Sequence, residues 1–174
     1  MKQAIAGVTP AETDERTVMT VWPSVAATSL GRTLGKLYSI RAGFYIFRIG
    51  HFIALACIPL ALVLYFMRVA PFAGTRYQLT NRRVRVLRGL LGKTESKSIK
   101  LDAFDTIDVH VLPGHQWYDA GDLVFYATGE KGAKIEKFRL DGVSRPDAFR
   151  ATCVKSHMAY VGVQKALQRE LQHT

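Results

Sequence analysis

The chain has 174 residues, with 24 Lys plus Arg against 14 Asp plus Glu and a formal net charge of +10. Its two cysteines, Cys57 and Cys153, have no second ligand at metal spacing and read as small buried apolar residues, so composition argues against a disulfide scaffold. A basic balance of this size points to nucleic acid, an anionic membrane surface or an acidic protein. Nucleic acid is disfavoured, because no zinc-ligand spacing, helix-turn-helix pattern or ribonucleoprotein aromatic motif accompanies the charge.

Residues 1–17 (MKQAIAGVTPAETDERT) are polar and acidic-leaning and read as a flexible tail. Composition changes over 18–43, where Leu30, Leu34 and Leu37 recur at helical spacing with Arg32, Lys36 and Arg41 between them. That pattern predicts an interfacial amphipathic helix with Trp22, Tyr38, Phe44 and Tyr45 as interface anchors. A surface helix packed on the chain's own globular part satisfies the same pattern. A second membrane pass is disfavoured, since it would bury Arg32, Lys36 and Arg41 in lipid.

From Ile49 to Met67 the chain reads IGHFIALACIPLALVLYFM, uncharged and bounded by Arg48 and Arg68. About 20 apolar residues at a rise of 1.5 Å span a hydrocarbon core roughly 30 Å thick. The expectation is a transmembrane helix over 44–69, with Pro59 tolerated because neighbouring groups in a membrane satisfy the freed carbonyl. The alternative is a helix buried in a soluble core, which would need much of a short chain wrapped around it. A segment starting this far in is not a cleavable signal peptide. Basic residues flank it on both sides, and the excess after it favours that side as cytoplasmic.

After Met67, short β-like pieces alternate with turn signals. They are RYQLT (76–80), RVRVLRG (83–89), TESKSIKL (94–101), FDTIDVHVL (104–112), DLVFYA (122–127) and IEKFRL (135–140). Phe149, Cys153, Tyr160, Val163 and Leu167 then recur at near-helical spacing, with Pro146 in the first turn, so one long closing helix is expected. Five to seven antiparallel strands and one helix give a small curved sheet or partly open barrel. Pattern alone does not choose among barrel families.

Between Arg76 and Lys100 eight basic residues face the single acid Glu95. Tethered near a bilayer, such a cluster meets anionic lipid first, and Arg suits phosphate recognition. The candidates are Arg82, Arg83, Arg85, Arg88 and Lys93; a solvated face with a topology role accounts for them equally. The loop PGHQWYDAGDL (113–123) adds Trp117 and Tyr118 as candidates for a protein or membrane contact. Its His115, Asp119 and Asp122 lack a second histidine or a recognisable nucleophile. Asp102, Asp105 and Asp108 alternate faces in a strand and form no carboxylate cluster. No Walker-type loop, G-x-S-x-G elbow or H-E-x-x-H is present, so no catalytic residue, metal or cofactor is expected.

The stretch YQLTNRRVRVLRGLLGKTESKSIKLDAFDTIDV resembles the bacterial pleckstrin-homology-like (PH) domain of small membrane-anchored proteins. The resemblance rests on Tyr77, Leu79, Thr80, Asn81, Arg82 and Arg83, on Gly89, on Ile99 and Leu101, on Ile107 and Val109, on the glycine-led strand Gly121 to Tyr126, and on Pro146. It implies two near-orthogonal antiparallel sheets and a C-terminal helix over 75–168, and a binding or assembly role rather than catalysis. The expectation is one transmembrane helix plus a mainly-β, PH-like partly open barrel closed by a C-terminal helix. It would sit in the bacterial inner membrane with the domain facing the cytoplasm, contacting anionic lipid or a protein partner and self-associating. The alternative is an accessory subunit of a larger membrane complex with the domain as scaffold.

Overall fold

A computed structural model describes residues 15–40, 43–44, 47–69, 74–89, 94–129 and 133–172. The strands are β1 (Thr17–Val21), β2 (Gly43–Phe44), β3 (Phe47–Arg48), β4 (Arg76–Thr80), β5 (Arg83–Arg88), β6 (Thr94–Lys100), β7 (Thr106–His110), β8 (Ala120–Thr128) and β9 (Lys134–Ser144). The helices are α1 (Ser29–Tyr38), α2 (Ile49–Ala56), α3 (Ile58–Val69) and α4 (Pro146–Gln172).

Strict alternation in β5 puts Val84 and Val86 on a buried face and Arg83 and Arg85 on the other. β4 alternates in the same way, burying Tyr77 and Leu79, whereas β6 buries Ile99 alone, and the strands pair into an antiparallel sheet in the order β1-β4-β5-β6. A second antiparallel sheet runs β7-β8-β9, and β2 pairs with β3 as a separate ribbon. The apolar faces of the two large sheets share one core with α4, built from Leu79, Val84, Ile99, Leu123, Phe125, Leu140, Phe149 and Cys153. Phe125 sits edge-on to Phe104 at 5.0 Å and to Phe138 at 5.6 Å between ring centroids. His157 of α4 reaches the Leu101 carbonyl at 2.6 Å through Nδ1, which ties the helix to the turn after β6. Burial pushes the Cys153 thiol up to about 12, so it stays protonated and acts as packing.

The expected transmembrane helix is overturned: no described helix is long and apolar enough to cross a membrane. The uncharged run breaks at Cys57: α2 before it has 8 residues, and α3 after it has 12, the last two of which, Arg68 and Val69, lie beyond the run. Twelve residues rise about 18 Å, well short of a hydrocarbon core of roughly 30 Å. Pro59 supplies the physical reason. It has no N–H for the Leu55 carbonyl, and its ring crowds that carbonyl, which interrupts the helical ladder in the turn before it. Leu64 is buried in a small cluster with Val25, Leu34 and Tyr38, whereas Phe52, Leu55, Leu62, Val63 and Phe66 are exposed.

The barrel is corrected as well, because the two large sheets remain open. Among the described residues a single isolated bridge, Pro23 to Val143, links the segment after β1 to β9, and β6 and β7 form no ladder. Each sheet has one apolar face, and stacking those faces under α4 buries them without closure.

Within 18–43 the structure places most of β1 and then α1. Thr28 caps α1, its Oγ1 accepting the Gly31 N–H at 3.0 Å. The helix buries Leu34 and Tyr38 and exposes Leu30 and Leu37. Trp22 is exposed, while Tyr45 and the side chain of Phe44 lie outside the described residues.

Candidate functional site

Register builds the basic face. Across β4, β5 and β6, Gln78 lies opposite Arg85 and Arg85 opposite Ser98, while Arg83 lies opposite Lys100 and Leu87 opposite both Arg76 and Glu95. Directly opposed residues share a face, so Arg76, Arg83, Arg85 and Lys100 stand together on the outer side of the first sheet. The Arg85 Nε–H donates to the neutral Gln78 Oε1 at 2.7 Å, which fixes the guanidinium without a carboxylate. Arg88 is exposed at the strand end and falls on the opposite face from Arg83 and Arg85. Lys97 lies opposite Val86, also on that other face. Lys93 lies outside the described residues.

Arg83 is the most heavily engaged of the candidates. Its Nε and Nη2 fork both oxygens of Glu15 at 2.9 Å each, and Nη1 donates to Glu95 at 3.0 Å. The fully buried Thr80 hydroxyl lies 2.7 Å from Glu15 Oε1 and accepts the Arg83 N–H at 3.0 Å. Held mainly by the Arg83 guanidinium, the Glu15 carboxyl is lowered to about 2. The same pairing raises Arg83. Arg82 lies in the β4–β5 turn, beside an open cavity of about 360 Å³ walled by Glu15, Arg82, Arg83, Lys100, Tyr160 and Gln164. Sequence reasoning missed Glu15 entirely and read Thr80 only as part of a motif. The available signal was the acidic pair Asp14–Glu15 in a chain with one basic turn.

Trp117 and Tyr118 are not brought to the arginines. They form a short 3₁₀ turn that packs on α1 and α2, with Tyr38 at 5.4 Å from Trp117 and 6.5 Å from Tyr118, and His51 at 6.1 Å from Trp117. Burial, aided by nearby Tyr38, pushes the Tyr118 hydroxyl up to about 12, so it stays neutral.

The buried His115 and Asp122 of the same region hold backbone. Asp122 accepts the Gly142 N–H at 2.7 Å and pairs with Arg139, whose side chain also bonds Asp141 at 3.0 Å. His115 Nδ1 accepts the Leu112 N–H at 3.3 Å, and its Nε2 faces Asp122 at 3.8 Å. Both Asp122 oxygens are therefore engaged by groups that shape the end of β9 and the loop before β8. Asp105 likewise accepts the Thr128 N–H at 2.7 Å, which lowers its carboxyl.

With this geometry in place, comparison with known proteins gives one finding. The family model described as Bacterial PH domain matches residues 26–160. No curated protein and no solved structure matches the chain.

Proposed function

The chain belongs to the bacterial PH domain family, and from that premise we propose that it is a binding module without a reaction of its own. Its ligand is an anionic membrane surface, met by the outer face of the first sheet at the cytoplasmic side of the bacterial inner membrane. One observation carries this reading: register aligns Arg76, Arg83, Arg85 and Lys100 on one face. Glu15 and Glu95 offset Arg83, so the attraction rests on Arg76, Arg85 and Lys100. Each basic side chain near an anionic leaflet contributes about 1 kcal/mol, and the effect falls with salt.

Co-sedimentation with phosphatidylglycerol vesicles at low and high salt tests it, with phosphatidylcholine vesicles as control. The chain is expected to bind the anionic vesicles at low salt, and an Arg76→Gln/Arg85→Gln variant to lose most of that binding while keeping its melting temperature within a few degrees. Equal binding by the variant, or none by the wild type, rejects the reading.

A specific observation favours a second reading, in which the domain is the scaffold of an accessory subunit in a larger membrane complex. Phe52, Leu55, Ile58, Leu60, Leu62, Val63, Tyr65 and Phe66 are all exposed on α2 and α3. Apolar surface concentrated this way commonly marks a contact site. Purification in mild detergent separates the two: stoichiometric co-purifying subunits favour the scaffold, and a homogeneous preparation of this chain favours the membrane-surface module.

A further inference from the structure

Two non-glycine residues among the described ones hold a positive φ, and they are in contact. Asp119 (φ 46) ends the short turn before β8, Arg145 (φ 50) precedes α4, and the Arg145 N–H donates to the Asp119 carbonyl at 3.0 Å. Asp reaches this backbone region more readily than most residues, whereas for Arg it is uncommon. Such backbone persists where its surroundings enforce it, and it gathers at binding sites.

The residues just before them, Tyr118 and Ser144, line one cleft of about 320 Å³ together with Trp22, Pro23, Val25 and Tyr65. The segment after β1 is tied down there, since Pro23 bridges Val143 and the Ser24 N–H donates to the Gly142 carbonyl at 2.7 Å. Trp22 and Tyr65 are 43% and 48% exposed, so two large aromatic side chains of the lining stay open to solvent. In a chain of net charge +10, no charged side chain lines this cleft. Its polar groups include the Trp22 indole N–H and the Tyr65 and Ser144 hydroxyls, which make no hydrogen bond among the described residues.

Charge and hydrogen bonding select the occupant. An anion finds no cation in the lining, and a cation over the aromatic rings finds no carboxylate beside it in a chain that is already basic. A polyproline II segment is uncharged and packs its pyrrolidine rings against aromatic side chains. Its carbonyl oxygens have no internal partner, and proline brings no N–H of its own. It therefore presents acceptors to a lining whose indole N–H and hydroxyls supply donors. We propose that this cleft docks a proline-rich segment of a partner protein in the polyproline II conformation. Trp22 and Tyr65 hold the rings, the Trp22 indole N–H and the Tyr65 and Ser144 hydroxyls donate to the carbonyls, and the Asp119–Arg145 contact fixes Tyr118 against Ser144. The cleft shares no residue with the basic sheet face and stands independently of it.

The test is fluorescence anisotropy of fluorescein-labelled decaproline titrated with the full chain, with a glycine–serine peptide of equal length as control. Wild type is expected to bind decaproline with an affinity little changed between low and high salt, whereas attraction to the basic sheet face fades with salt. Trp22→Ala and Tyr65→Ala should each weaken binding by about tenfold or more, as the loss of aromatic anchors does. Both side chains are exposed and they stand on separate segments, so one variant reads the site even if the other fails to fold. No decaproline binding by wild type, equal binding of the glycine–serine peptide, or an affinity within about twofold of wild type in either folded variant overturns the proposal. Tighter binding of choline chloride than of decaproline assigns the cleft to a quaternary ammonium and overturns it as well. The sheet-face reading stands or fails on the vesicle assay, so the two results are read separately.

Discussion

The Thr80 hydroxyl accepts backbone N–H groups of Arg82 and Arg83 at 3.3 and 3.0 Å and lies against Glu15, so one small side chain shapes the turn and seats an acid from far along the chain. The Glu15 carboxyl titrates at about 2 rather than at its ordinary 4.5. A depressed carboxyl contributes stability that is complete above the ordinary value and is lost as pH falls through about 2. Glu15→Gln is therefore expected to lower stability at neutral pH by about 1 kcal/mol, since the pair is partly solvated. Denaturant midpoints of the two proteins should converge as pH approaches about 2. A constant difference across that range contradicts the pairing. Asp122 is fully buried and serves the Gly142 N–H and Arg139, so Asp122→Asn is expected to cost about 3 kcal/mol, read as a large drop in melting temperature. None of these partnerships was legible in the sequence. They join positions that only the sheet pairings bring together, whereas local pattern reports neighbours a few residues apart.

Elements built on local alternation were legible, and those that depend on distant partners were not. The β5 alternation of Val84 and Val86 with Arg83 and Arg85 is visible in the sequence, and the strand forms with those faces. β1 escaped because its partner, β4, lies across three helices, and a five-residue strand beside a polar tail gives little local signal. The uncharged run was read from composition and length, but Pro59 divides it, and composition does not register a missing N–H. Gly35 of α1 shows how the helices are seated. A Cβ there would lie 2.3 Å from the Gly114 carbonyl oxygen, on a loop where Gly114 itself holds φ +96. Gly35→Ala is expected to push α1 off the loop that carries Trp117, at a cost of about 2 kcal/mol. The expected readout is a lower melting temperature and a shift in tryptophan emission, and an unchanged melting temperature would refute the close approach.

Arg76, Arg85 and Lys100 stand on the face of the first sheet that points away from the core shared with α4. On the other side of the molecule Tyr38 of α1 packs edge-on to Trp117 and Tyr118, which seats that helix on the loop before β8. The most direct measurement is an amide chemical-shift titration of the full chain with phosphatidylglycerol bicelles. Salt-sensitive shifts concentrated on β4, β5 and β6, at Arg76, Gln78, Arg85 and Ser98, are the expected result. Shifts confined to α2 and α3, or none at low salt, would contradict a binding module that works through its basic sheet face.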